Sequence, residues 1–202
     1  MILRECYTTS VMKKVIISDF FGVISDECAP VFFKKYVTSQ GYNLLTDKYF
    51  HPGDRGEIRF EDIVNNVHND FGFDKERLKK EFLDRPAPHT EYIELLRKLK
   101  NEGHRILLLS NTCDTIVPYL LNKFGIDDLF DHLYLSYQIK KTKPSLEIFR
   151  YLLKEEKLAP RDCIFIDDNP TNIDASLQVG MHGILFHNDK ETLELIEHLA
   201  KE

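Results

Sequence analysis

The sequence predicts an α/β protein with a doubly wound parallel sheet and a small helical domain inserted after the first strand. Short, continuously apolar segments alternate with amphipathic segments of helical periodicity along most of the chain. Apolar segments that lack the alternation of a half-exposed strand suit strands covered by helices on both faces. The long segment after the first strand contains helical patterns and no strand pattern, which predicts the insertion.

Five strands are predicted, and helical segments separate most of them. The strands cover residues 15–18, 106–110, 132–136, 164–167 and 183–186. Outside the insertion, the helices cover residues 90–103, 114–125, 144–156, 169–180 and 190–202. Gly103 suits a helix end, and Pro118 must lie within the first turn of its helix. Asn169 followed by Pro170 is typical of an N-cap and a first-turn proline.

The predicted insertion, residues 28–88, forms a helical cap. Its amphipathic segments cover residues 30–41, 59–72 and 74–84. Gly41 and Gly72 are expected to end the first two of these helices. Arg55, between them, is either a solvated loop residue or a contact for an anionic substrate. The rest of the core consists of residues 12–27 and 89–202.

The first eleven residues, 1–11, precede the first strand and are expected to form a loosely attached extension.

The net charge of −6 does not suggest a nucleic-acid partner. No apolar run approaches the length of a membrane span, and the N-terminus lacks the apolar core of a signal peptide. The four cysteines show no metal-ligand spacing, which predicts reduced thiols in a cytoplasmic protein.

Polar side chains follow several of the predicted strands. Asp19 follows the first strand, Ser110 and Asn111 lie at the end of the second, and Asp167 and Asp168 lie at the end of the fourth. Ligands of open parallel sheets bind outside the carboxyl ends of the strands. We therefore expect these side chains to face one crevice.

A lysine and a cation are expected to complete this crevice. Lys143 begins the helical segment after the third strand. Carboxylates that converge repel one another unless a cation lies among them. Oxygen ligands without a nearby histidine or cysteine favour Mg²⁺.

Four segments of the chain resemble the motifs of the haloacid dehalogenase superfamily of phosphatase-like hydrolases. The segments are, in order, DFFGVI, LLLSNT, KPSLEIF and FIDDNPTNIDASLQVGM. The resemblance extends almost from end to end and is closest to the subgroup with a small helical cap after the first motif. It implies a Mg²⁺-dependent hydrolase that acts on a small phosphorylated substrate.

The resemblance implies a role for each matching residue. Asp19 would be the nucleophile that takes the phosphoryl group. The metal would be held by Asp19, Asp168 and the backbone carbonyl of Phe21, with Asp167 acting directly or through water. Lys143 would neutralise both the phosphoryl group and Asp19.

Two further residues would hold the phosphoryl oxygens. The resemblance assigns this role to Ser110 and to the amide of Asn111. Asn172 stands where the family often has an acid after the metal aspartate.

The chain departs from the family at Phe21. The family usually has an aspartate there, which acts as general acid and then as general base. A phenylalanine cannot transfer a proton, and loss of such a group lowers the rate by roughly 10²–10⁴-fold. We therefore expect reduced activity, or a catalytically weak protein that binds a phosphorylated ligand or a protein partner. Dehalogenases also carry an aromatic residue there, but they replace the Asp167–Asp168 pair, so a dehalogenase is the least favoured alternative.

Overall fold

The computed structural model describes residues 13–202, so the predicted extension 1–11 lies outside the described residues. Its core is a five-stranded sheet with the order β3-β2-β1-β4-β5, in which every pair of neighbours is parallel. The strands are β1 (Val15–Ser18), β2 (Arg105–Ser110), β3 (His132–Leu135), β4 (Cys163–Asp167) and β5 (His182–Leu185). The predicted fold class is confirmed.

The helices fall into those of the core and those of the insertion. The core helices are α6 (Thr90–Asn101), α7 (Ile116–Phe124), α8 (Ser136–Ile139), α9 (Leu146–Glu156), α10 (Pro170–Gln178) and α11 (Lys190–Ala200). The helices between β1 and α6 are α1 (Ala29–Phe33), α2 (Ser39–Leu45), α3 (His51–Asp54), α4 (Phe60–Phe71) and α5 (Lys75–Lys79). The turns Thr46–Phe50 and Lys80–Asp84 are π-helical and continue α2 and α5.

Successive residues of each central strand enter different hydrophobic cores, as the continuous apolar pattern predicts. Ile16 of β1 packs in the cluster that contains α6, α7 and α11. Ile17, the next residue, packs in the cluster formed with α9 and α10. Both side chains have no exposed surface. The sheet is therefore covered on both faces, which is why its strands lack a polar face.

The prediction of one helix over residues 30–41 is wrong, because the chain breaks there into α1 and α2. The side chain of Thr38 accepts a hydrogen bond from the Gly41 amide at 3.2 Å, which starts a new helix. Gly41 therefore lies inside α2 rather than at a helix end. Leu45 and Tyr49, which lie beyond the predicted helix end, are buried and stabilise the continuation of the helix.

Several predicted helix ends are confirmed. Gly72 ends α4 in the left-handed conformation, with φ of 72°. The side chain of Asn169 caps α10, and Pro170 is its first residue.

Strand β1 lies between β2 and β4, so the direction of winding reverses beside it. This reversal opens a crevice at the carboxyl ends of these strands.

The limits 28–88 for the cap stay a prediction. Among the residues that the structure describes, no helix combines the length and apolar character needed to cross a membrane.

Candidate active site

A buried lysine joins two carboxylates at the carboxyl end of the sheet. Asp19 follows β1 directly, and Asp167 is the last residue of the neighbouring β4. The Nζ atom of Lys143 lies 2.7 Å from an oxygen of each carboxylate. The lysine side chain is 1% exposed. It therefore compensates negative charges that would be costly to bury alone.

The protonation of this cluster depends on its burial. Burial raises the pKa of Asp19 well above its ordinary value, and the charge of Lys143 offsets this only in part. Burial lowers the pKa of Lys143, but the charges of Asp19 and Asp167 outweigh that effect and leave its pKa raised. Lys143 is therefore a stable cation, and a second positive charge near Asp19 would favour the ionised form that a nucleophile needs.

Asp167 is held by donors on three sides. One oxygen accepts from Lys143 at 2.7 Å and the other from the Asn169 amide at 2.8 Å. The side-chain amide of Asn172 donates to both oxygens at 3.0 Å. Asp167 has no exposed surface. Asn172, at the position where the family often has an acid, thus satisfies the buried carboxylate instead of adding a charge.

The carboxylates of Asp19, Asp167 and Asp168 are grouped closely enough to share a cation. Each offers an oxygen within 4.8 Å of the others. Gly22, with φ of 75°, makes room for this group, because a Cβ there would lie 2.3 Å from an Asp168 oxygen. Three carboxylate oxygens are the donor type that Mg²⁺ prefers. These residues therefore fit a magnesium ion.

The predicted phosphoryl-binding residues differ in their access to the crevice. The Asn111 side chain accepts from the Lys143 amide and donates to the Lys143 carbonyl, both at 2.9 Å. It therefore fixes the backbone that carries the lysine. Ser110 is fully buried, whereas Asn111 and Thr112 line the cavity above Asp19. The predicted role of Ser110 stays a prediction.

The cavity above Asp19 has a volume of about 300 Å³ and lies between the strand ends and the inserted helices. Much of its wall is aromatic, and the ring of Phe21 contributes to it. This ring contacts Phe20 edge to face, with centroids 5.1 Å apart. Other aromatic residues of the wall, from the insertion, are Tyr42, Phe50, Phe60 and Phe82. Phe32 and Phe33 are buried instead in the aromatic core of the insertion.

Two further carboxyl groups lie in the same wall. They are Glu27, just before α1, and Asp54, the last residue of α3. Burial raises the pKa of each to about 7. No sequence pattern points to either group, because a single carboxylate outside any motif looks like a solvated one. Only the folding of the insertion over the sheet brings them to the cavity.

Arg55, the cationic candidate of the insertion, is engaged elsewhere. Its guanidinium pairs with Glu57, with atoms at 2.6 and 3.0 Å. It lines a neighbouring recess rather than the cavity above Asp19. The side chain remains 45% exposed, which matches a solvated loop residue.

Comparison with known proteins adds sequence relatives. A family model described as haloacid dehalogenase-like hydrolase matches residues 16–186. The D-ribitol-5-phosphate phosphatase of Bacteroides thetaiotaomicron is 28% identical over 190 residues, 84% of this chain and 89% of that enzyme. A sesquiterpene phosphatase of Aspergillus oryzae is 27% identical over 70% of this chain and 74% of its own length. The drimenol cyclase of Aspergillus calidoustus is 31% identical over 56% of this chain, which spans 22% of that protein.

Solved structures share the fold. A haloacid dehalogenase family enzyme from Bacteroides thetaiotaomicron has a TM-score of 0.78 at 23% identity, covering 91% of this chain and 98% of that one. A structure of that enzyme in complex with magnesium and inorganic phosphate has a TM-score of 0.73 at 24% identity, over 89% and 96% of the two chains.

Proposed function

We propose that this chain, which belongs to the haloacid dehalogenase-like hydrolase family, is a Mg²⁺-dependent phosphatase that acts on a small phosphorylated metabolite. One observation carries the proposal. Lys143 holds Asp19 and Asp167 at the floor of a cavity, and Asp168 lines the same cavity. Phosphoryl transfer needs such positioning and charge neutralisation more than it needs covalent chemistry from the protein.

Asp19 is the proposed nucleophile. One of its carboxylate oxygens attacks phosphorus, the bond from phosphorus to the leaving oxygen breaks, and an aspartyl phosphate forms. Water then attacks the same phosphorus and releases inorganic phosphate and the free carboxylate. Lys143 contacts Asp19 at 2.7 Å and would lie beside the transferred group throughout. Ser110 and the Asn111 amide are the proposed contacts for its oxygens.

The proposed metal ligands are Asp19, Asp168 and the backbone carbonyl of Phe21. Mg²⁺ bound there would neutralise charge on the phosphoryl oxygens and on the nucleophile. Asp167 already accepts hydrogen bonds at both oxygens. We therefore assign it to orienting Lys143 and to holding the metal through water.

The cap, residues 28–88, is the proposed determinant of substrate choice. Its aromatic wall suits a substrate with an apolar body, and a sesquiterpene phosphatase is among the relatives. Another relative acts on D-ribitol 5-phosphate. Both chemistries therefore belong in a substrate screen.

One alternative is a catalytically weak protein that binds a phosphorylated ligand. Phe21 favours this alternative, because its ring stands where the family usually has a proton-transfer group. A dehalogenase is disfavoured by the acidic Asp167–Asp168 pair, which suits a cation better than a halide.

The test is a screen of the purified protein against polyol, prenyl and aryl phosphates, with and without Mg²⁺. We expect Mg²⁺-dependent phosphate release from at least one of them. Asp19→Asn should abolish it, and acid-quenched wild-type protein should carry phosphate on Asp19 in peptide mass spectra. Absence of turnover on every substrate, with phosphate binding retained, would favour the binding protein.

A further inference from the structure

The proposed reaction needs a proton-transfer group that the first motif does not supply. The leaving oxygen must gain a proton, and the attacking water must lose one. Among described residues, the carboxyl groups that line the cavity, apart from Asp19 and Asp168, are Glu27 and Asp54. Asp54 lies in the insertion, and Glu27 lies just before α1. In-line attack by Asp19 directs the leaving oxygen away from Asp19, into the cavity that these carboxyl groups line.

The backbone around Asp54 is fixed against the core on both sides. Before it, Gly53 packs against the core as well as the insertion, because a Cβ there would lie 3.4 Å from the Cβ atom of Cys113 and 2.7 Å from the end of the Ile63 side chain. After it, Gly56 turns with φ of 65°, and a Cβ there would lie 2.4 Å from the Tyr137 carbonyl oxygen. The Nζ atom of Lys140 donates to the Gly56 carbonyl at 2.8 Å. Asp54 is therefore held in place by contacts with core residues before any substrate binds.

A second anchor lies a few residues farther along the same segment. The carboxylate of Asp114, a core residue, accepts from the Phe60 amide at 2.8 Å and from Arg59 at 2.9 Å. Residues on both sides of Asp54 in the sequence therefore contact the core. A group meant to transfer a proton must be well positioned, and such anchoring limits the movement of the backbone that carries Asp54.

The charges around Asp54 keep its proton available near neutral pH. Burial raises the pKa of the carboxyl to about 7, while Lys143 and Arg55 lower it and Glu27 raises it further. His51, one turn earlier on the same helix, lines the cavity and pairs with Asp47 at 3.5 Å. A general acid is most effective when its pKa lies near the working pH.

Glu27 is less suited to the same task. After burial, the charge of Asp168 has the largest effect on its pKa. It therefore faces the side of the cavity where the cation is proposed, and a cation there would favour its ionised form. The leading charge effect on Asp54 comes from Lys143, on the phosphoryl side.

We propose that Asp54 is the general acid and base of this enzyme and replaces the carboxyl that Phe21 has displaced. The inference rests on the proposed phosphatase function. In the first step the carboxyl of Asp54 gives its proton to the leaving oxygen as the bond from phosphorus to oxygen breaks. In the second step the Asp54 carboxylate takes a proton from the water that attacks the aspartyl phosphate. Phosphate and free Asp19 are released, and Asp54 ends protonated, as it began.

The test compares an alkyl and an aryl phosphate, because only the alkyl leaving group needs a proton. The probes are the alkyl phosphate cleaved fastest in the screen and 4-nitrophenyl phosphate, with the Mg²⁺-loaded protein. Asp54→Asn should lower kcat/KM for the alkyl phosphate by about 10²–10⁴-fold. For the aryl phosphate, kcat/KM should fall by less than about tenfold, with a burst of nitrophenol before slow turnover. Glu27→Gln is the matched control and should change kcat/KM by the same factor for both substrates.

Two further readouts separate proton transfer from folding. In the wild type, kcat/KM for the alkyl phosphate should fall above about pH 7, and this limb should be absent in Asp54→Asn. The melting temperature of Asp54→Asn should still rise with Mg²⁺, which shows an intact fold.

The contradicting outcomes are distinct. Four outcomes would overturn the role of Asp54 and leave the proposed phosphatase function intact. Asp54→Asn could lower kcat/KM equally for both substrates, or leave kcat/KM unchanged for both. Alternatively, only Glu27→Gln could lower kcat/KM for the alkyl phosphate selectively, or the wild type could cleave only aryl phosphates. A wild type that cleaves neither probe overturns the proposed function, and this inference with it.

Discussion

The floor and the wall of the cavity differ in how far the charge of their buried carboxyl groups is compensated. At the floor, Lys143 lies 2.7 Å from both Asp19 and Asp167, so negative charge is compensated. In the wall, Glu27 and Asp54 lie among aromatic rings, and burial raises the pKa of both to about 7. Burial raises the pKa of Asp19 as well, but Lys143 partly offsets this, so the floor suits a carboxylate that attacks once a cation is bound. The wall suits a carboxyl that carries a proton. Environment, rather than residue type, separates the two roles.

The largest effect should come from removing the cation of the floor. Lys143→Met leaves two buried carboxylates without their partner, and loss of one member of a buried ion pair costs about 3–5 kcal/mol in unfolding free energy. Urea denaturation without Mg²⁺ measures this loss of unfolding free energy. Lys190→Met, at an 86% exposed lysine, is the control and should change little. Equal stability of both variants would contradict the compensation ascribed to Lys143.

The next effect concerns the metal. A ligand that binds only the native state at a hundred times its Kd stabilises it by about 2.7 kcal/mol, so Mg²⁺ should raise the melting temperature. Asp168→Asn should remove most of this response. Asp174→Asn, at an exposed aspartate of α10, should keep it. A wild-type melting curve that does not move in millimolar Mg²⁺ would refute the cation site.

Substitution of Asp54 in the wall should change the stability with the opposite sign to substitution of Lys143 at the floor. Because the pKa of Asp54 is raised from 3.8 to about 7 in the folded state, the native state binds the extra proton between these values. Stability present below the unfolded pKa is therefore lost as pH rises toward 7. Asp54→Asn should be more stable than the wild type at pH 8, by on the order of 4 kcal/mol, and nearly equal at pH 4.

Chemical denaturation at both pH values measures this difference. Asp128→Asn, at a carboxyl with 81% exposure, is the control and should show no such dependence. If Asp54→Asn is less stable than the wild type at pH 8, then the carboxyl is ionised and well solvated there, and the contrast between wall and floor does not hold.

The smallest effect is expected at Phe21. If Asp54 already transfers the proton, Phe21→Asp should change alkyl phosphate turnover by less than about tenfold. Steady-state kinetics at saturating Mg²⁺ measures this, with Phe21→Leu as the control for loss of the ring. A rise of about 10²-fold or more in Phe21→Asp alone would mean that the native site lacks a proton-transfer group.

Periodicity and strand-end residues were enough to predict the sheet and its floor. The apolar segments of β1 and β4 match the structure within a residue, because strands covered on both faces leave an unbroken apolar pattern. Parallel strands bring their carboxyl ends to one edge, so Asp19 and Asp167 were expected to meet. Local patterns failed at Gly41, where a cap at Thr38 and the burial of Leu45 outweighed the tendency of glycine to end a helix.

The parallel sheet, its helical layers and the placement of Asp19, Lys143 and Asp167 in one crevice are predictable from the sequence alone. They follow from short-range periodicity and from the geometry of parallel strands. Which other carboxyl groups line the cavity depends on the tertiary structure. Asp54 reaches its place through close backbone contacts at Gly53 and Gly56 with residues distant in sequence. Its raised pKa likewise comes from burial in the assembled cavity, which no local pattern encodes.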